Sequence, residues 1–143
     1  MAAFLIGSHG YMASGVEKSL NMLLGEFPNV FFFDAYVNDC DLDEAIEKFY
    51  KKIGPEEKVF LIAELFGGSV SNSFCKYMNE KRTTVIAGFN LALLIELIVR
   101  SSKQELTLEE INQIVESARS AMLIVSDNTY VDNDENFFEE KGG

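Results

Sequence analysis

The sequence predicts an open α/β fold, a parallel sheet with helices on both faces. Five short apolar runs alternate with longer segments whose apolar residues recur at helical spacing. Strict alternation of this kind makes neighbouring strands parallel, joined by helical crossovers. Right-handed crossovers cover both faces of a sheet only if the strand order reverses somewhere, which sets strands one and three side by side.

The elements follow in order. Ala2–Gly7 is a short apolar run that reads as a buried strand. Ser14 and Glu17 have capping-box spacing, and Val16, Leu20, Leu23, Leu24 and Phe27 continue as a helical stripe that Pro28-Asn29 stops. Val30–Phe33 reads as a second buried strand ending at Asp34. Asp41 and Glu44 repeat the capping pattern before a helix whose apolar face runs from Leu42 through Ile46 and Phe49 to Ile53. Lys58–Ala63 is the third strand, followed by Glu64-Leu65-Phe66-Gly67-Gly68-Ser69 and a short helix with Val70 and Phe74. Thr83–Ala87 is the fourth strand, after which Asn90 caps an apolar helix containing Leu91, Leu94, Ile95 and Ile98. Thr107 and Glu110 open a last helix, and Ala121–Ser126 reads as a fifth strand. Residues 1–126 form one domain on this reading, and 127–143 an acidic tail, a mobile segment or an arm against a neighbour.

Composition narrows the function classes. A chain of 143 residues that is 48% hydrophobic buries one good core and is not disordered over most of its length. A net charge of −11 argues against nucleic acid and against adsorption to anionic lipid, both of which need clustered Lys and Arg. Cys40 and Cys75 are too few for a disulfide framework and read as reduced, partly buried thiols. No targeting segment and no apolar run of about 20 residues is visible, so a soluble cytoplasmic protein is expected. One histidine argues against a catalytic metal centre. The 132–136 segment has Phe137 where a calcium loop needs Gly, so no metal or cofactor is expected.

That histidine, His9, ends the first strand in Ile6-Gly7-Ser8-His9-Gly10, at the rim where open α/β sheets hold reacting groups. Imidazole is a neutral nucleophile near pH 7 and forms a labile phosphoryl adduct. A ring that carries phosphate needs one nitrogen free and the other held by an acceptor. Glu64, after strand three, is placed to be that acceptor. The phosphoryl oxygens need donors, and Gly67, Gly68 and Ser69 opening a helix supply unhindered N–H groups and a hydroxyl. Gly10 allows close approach beside His9. Related loops do not fit. Arg-His-Gly phosphatases need an arginine where Ser8 stands and a second histidine. Receiver domains need an acidic pair after strand one.

Three blocks, Leu5–Gly10 with Met22–Glu26, Leu65–Ser69 with Asn72, and Val85–Leu91, resemble in order and spacing the IIA component of the mannose-family bacterial sugar phosphotransferase system. The resemblance covers roughly residues 2–125. It implies an open three-layer sandwich of four parallel strands in order 2-1-3-4, with an antiparallel fifth strand exchanged in a homodimer. Ala121–Ser126 is the candidate for that strand. It implies a phosphotransferase component in which Nε2 of His9 accepts a phosphoryl group from the carrier HPr and passes it to a IIB component. The membrane components IIC and IID are then served indirectly. Three positions depart from the family pattern: Glu64 stands for the usual Asp, and Val70 and Ala92 for usual prolines. The departures at Glu64 and Val70 motivate an alternative, a regulatory module whose phosphorylation state selects partners. A further alternative is the phosphocarrier subunit of a dihydroxyacetone kinase system.

Overall fold

The computed structural model describes residues 2–80 and 82–129. The elements are β1 (Ala3–His9), α1 (Met12–Leu24), β2 (Val30–Ala35), α2 (Leu42–Lys52), β3 (Val59–Ala63), α3 (Ser69–Cys75), β4 (Thr83–Ala87), α4 (Leu91–Ser101) and α5 (Leu108–Ser120). The four strands are parallel and ordered β2-β1-β3-β4, as expected.

The period-two alternation of the central strands divides the core between two faces. Phe4 and Ile6 of β1 join Phe60 and Ile62 of β3 under α1, α4 and α5. The rings of Phe4 and Phe60 stack there at 4.9 Å. Ala3, Leu5, Val59, Leu61 and Ala63 face the other way and pack against α2 and α3 through Ile46, Phe49, Val70 and Phe74. Gly7 is set by that second layer, since an added Cβ would stand 2.8 Å from Cζ of Phe74 and 3.0 Å from Cγ1 of Val70. α3 therefore lies against the carboxyl end of β1.

The structure differs from the sequence reading at several points. β1 runs on to His9 rather than ending at Gly7, because Ser8 and His9 still pair with Asp34 and Ala35. α1 starts at Met12, ahead of Ser14, and ends at Leu24, ahead of Pro28. No side chain of its own caps it. The N–H of Ala13 donates to Oγ of Ser8 at 2.7 Å and the N–H of Ser14 to Oδ1 of Asp34 at 2.9 Å, so strand ends satisfy the helix start. β2 is half-buried rather than buried, because it is an edge strand. Asp41 makes no capping bond, whereas Asn90 and Thr107 do, and Thr107 with Glu110 forms a full capping box. Cys40 is exposed.

Ala121–Ser126 pairs with no strand among the described residues, and Met122, Leu123, Ile124 and Val125 are exposed. The expected fifth strand is thus not formed within the single chain. The acidic 132–136 segment and Tyr130, Val131, Phe137 and Phe138 lie outside the described residues. Among the described residues no helix is long and apolar enough to cross a membrane, and no cluster of ligating side chains could hold a metal.

Candidate active site

Pairing of β1 with β3 in the register Gly7 to Ala63 brings the loops after both strands to one rim. There His9, which ends β1, meets Glu64, 55 residues on, and Ser69, 60 residues on. The reversal of strand order between β1 and β3 is the physical reason that they meet.

One carboxylate oxygen holds His9 twice. Oε2 of Glu64 accepts the backbone N–H of His9 and lies 3.1 Å from its Nδ1. A carboxylate only accepts, so Nδ1 carries the ring proton and Nε2 presents its lone pair. Nε2 is 3.0 Å from Oγ of Ser69, which donates to it. Both ring nitrogens are therefore committed, and the imidazole has one orientation and one tautomer. The carboxylate side chain is 13% exposed and the imidazole 46%, so a shielded carboxylate orients an accessible ring. Oε1 of Glu64 is buried without a hydrogen-bond partner among the described residues.

The glycine turn shapes the remaining side. Gly67 has φ +80°, a left-handed conformation that glycine adopts without steric cost. The side-chain amide of Asn72 donates to its carbonyl at 3.4 Å. At Gly68 a Cβ would stand 3.4 Å from Cε1 of His9, so its lack of a side chain keeps the ring edge open. The Gly68 N–H turns back to the carbonyl of Leu65 at 3.3 Å. The N–H of Gly10 donates to the carbonyl of Ala35 at 2.9 Å, which ties that loop to β2. Of the glycine-turn residues, Ser69 is the one that places a polar side chain on the imidazole.

Sequence reasoning missed Tyr36. Its hydroxyl donates to Oγ of Ser69 at 2.8 Å, and its ring centroid is 5.3 Å from that of His9. It also missed the buried Ser8, whose hydroxyl takes up the start of α1 and so holds the loop after His9. The signal for Tyr36 was available. It follows β2, the neighbour of β1, at the same carboxyl rim. Exposed apolar side chains ring the site, namely Tyr11, Met12, Leu65 and Phe66, the last 84% exposed.

Comparison with known proteins points to one family. The family model described as PTS system fructose IIA component, EIIA-man, matches residues 3–116. The chain is 33% identical over 101 residues to the mannose-specific EIIAB component of the PTS system of Escherichia coli K12. That match covers 68% of this chain and 31% of the relative, so the chain spans about a third of that longer protein. It is 26% identical over 114 residues to the fructose-specific EIIA component of Bacillus subtilis 168, covering 78% of this chain and 77% of that one. The PTS IIA protein associated with the fucose utilization operon of Streptococcus pneumoniae superposes with a TM-score of 0.75 at 26% identity, covering 91% of this chain and all of that one. A sheet in the order β2-β1-β3-β4, a histidine at its switch point and a family match over residues 3–116 lead to one conclusion: the chain belongs to the mannose/fructose family of phosphotransferase-system IIA components.

Proposed function

We propose that the chain is a phosphocarrier that takes a phosphoryl group from phospho-HPr onto Nε2 of His9 and delivers it to a IIB component. The observation that carries this reading is the imidazole held at Nδ1 by Glu64, with Nε2 turned to Ser69. In the forward step the Nε2 lone pair forms the new P–N bond while the bond from phosphorus to the donor histidine breaks, its electrons staying on the donor ring. The accepting ring becomes positively charged, and the proton remains on Nδ1, where the Glu64 carboxylate stabilises that charge. The Ser69 hydroxyl then turns from Nε2 to a phosphoryl oxygen. Gly67 lets the turn take its left-handed backbone, Gly68 leaves the ring edge open, and Gly10 keeps the loop after His9 close to β2. Delivery to IIB is the same step in reverse.

The exposed apolar rim of Tyr11, Met12, Leu65 and Phe66 around His9 suits docking of HPr and IIB in turn. The chain works in the cytoplasm, where those carriers are, and serves IIC and IID only through IIB. It acts as a homodimer in which Ala121–Ser126 of each subunit pairs antiparallel with β4 of the other. The open edge at β4 and the exposed Met122–Val125 run support this exchange. Glu64 reaches His9 despite its extra methylene and Val70 is fully buried as core, which favours the carrier reading over a purely regulatory module.

Incubation with phosphoenolpyruvate, enzyme I and HPr should label the chain at an acid-labile site. His9→Ala should abolish the label, and addition of a cognate IIB should discharge it. Labelling that persists in His9→Ala would exclude the assignment.

A further inference from the structure

We infer that Tyr36 is a positioning residue of this site, acting through Ser69 to aim its hydroxyl proton at Nε2 of His9. The inference rests on the phosphocarrier reading for its consequence but on hydrogen-bond geometry for its content. A serine hydroxyl has one proton to give. At Ser69 two neighbours compete for it, the phenol of Tyr36 at 2.8 Å and Nε2 of His9 at 3.0 Å. Nε2 has no proton when Nδ1 donates to Glu64, so it accepts only. Ser69 must then give its proton to Nε2, and Tyr36 must donate to Ser69. The three groups form a one-directional chain, from the Tyr36 phenol to the Ser69 hydroxyl to Nε2. Donation by the phenol also polarises the serine hydroxyl and makes it the stronger donor.

Two further observations single Tyr36 out. It has φ +66°, the only positive φ at a non-glycine among the described residues. Bulky residues avoid that conformation, and strain of this kind gathers at functional positions. It is also 62% exposed, so burial in the core is not what keeps a tyrosine there. The strained backbone brings the hydroxyl to Ser69 and lays the ring beside the imidazole at 5.3 Å. When a phosphoryl group replaces the Ser69 proton's contact with Nε2, the same chain directs that proton onto a phosphoryl oxygen.

Tyr36→Phe keeps the ring and removes only the donor. Single-turnover transfer from phospho-HPr should slow about three- to tenfold, the usual worth of one such hydrogen bond, with an unchanged melting temperature. A double-mutant cycle separates positioning from mere packing. If Tyr36 acts through Ser69, Tyr36→Phe should cost nothing further in a Ser69→Ala background. A rate within 1.5-fold (about 0.2 kcal/mol) of wild type, or an undiminished effect in that background, would overturn the inference. The 15N shift of His9 Nε2, recorded on the unphosphorylated protein, should move toward that of a free acceptor nitrogen in Tyr36→Phe. That readout needs no phosphoryl donor. A wild-type protein that HPr fails to label would refute the phosphocarrier reading, while an unmoved Nε2 shift would refute the role of Tyr36.

Discussion

Replacing Glu64 by Gln tests the charge at the centre of this site while preserving its shape. In the native arrangement Oε2 accepts both the backbone N–H and Nδ1–H of His9, the latter at 3.1 Å. Phosphoryl arrival at Nε2 places a unit positive charge on the ring. At that distance, with the imidazole nearly half exposed and an effective dielectric of roughly 40–80, the carboxylate stabilises the full charge by about 1–3 kcal/mol. About half of the charge has developed at the transition state, so the loss on going to the neutral amide is about 1 kcal/mol. Replacing a charge-assisted bond with a neutral one points to a loss of similar size. The expected consequence is transfer slowed about 3- to 10-fold. Rapid-quench measurement of label moving from phospho-HPr to the chain reads this directly, with thermal melting as the control for folding. Charge stabilisation by Glu64 is refuted if the Gln variant transfers within twofold of wild type while retaining its melting temperature.

Other parts of the structure make separate predictions. Gly7→Ala places a methyl against Phe74 and Val70 inside the core, so it should destabilise the fold by roughly 1–3 kcal/mol in urea titration. It should also slow transfer, because α3 must shift and carries Ser69 with it. Hydrogen bonds from Thr107, backbone N–H first and then hydroxyl, and the nearby Arg100 hold the Glu110 carboxyl below its ordinary range. Its contribution to the start of α5 is therefore complete above the ordinary carboxylate range and lost as pH falls through the lowered value. Urea midpoints of wild type and Glu110→Gln should differ near neutrality and converge in acid, and a constant difference would contradict the capping box as its source. Ile124→Lys, at a position 90% exposed in the single chain, should leave the monomer folded and abolish the proposed dimer in equilibrium sedimentation. A dimer that survives the lysine would show that Ala121–Ser126 is not the exchanged strand.

How much of this was legible in the sequence depended on the range of the signal. The four strands and five helices were, because alternation of period two or helical spacing is written into neighbouring residues. The capping box at Thr107–Glu110 was legible for the same reason, being closed within three residues. The apparent box at Ser14–Glu17 misled because Ser8 and Asp34 already serve that helix start from adjacent strand ends. The half-burial of β2 was hidden too, since an apolar run reads alike at the edge and in the centre of a sheet. His9 and Glu64 could be paired in advance only because the strand-order rule brings their loops together.

By itself, then, the sequence determined the alternating elements and the adjacency of strands one and three, and it singled out His9 as the candidate nucleophile, all of which follow from local pattern and one topological rule. Only the tertiary structure decided that a single oxygen of Glu64 grips both the backbone and the ring of His9, and that Tyr36 stands behind Ser69. The physical reason is reach. A hydrogen bond requires atoms placed within a few tenths of an ångström, and between residues separated by 33 to 60 positions that placement comes from packing alone.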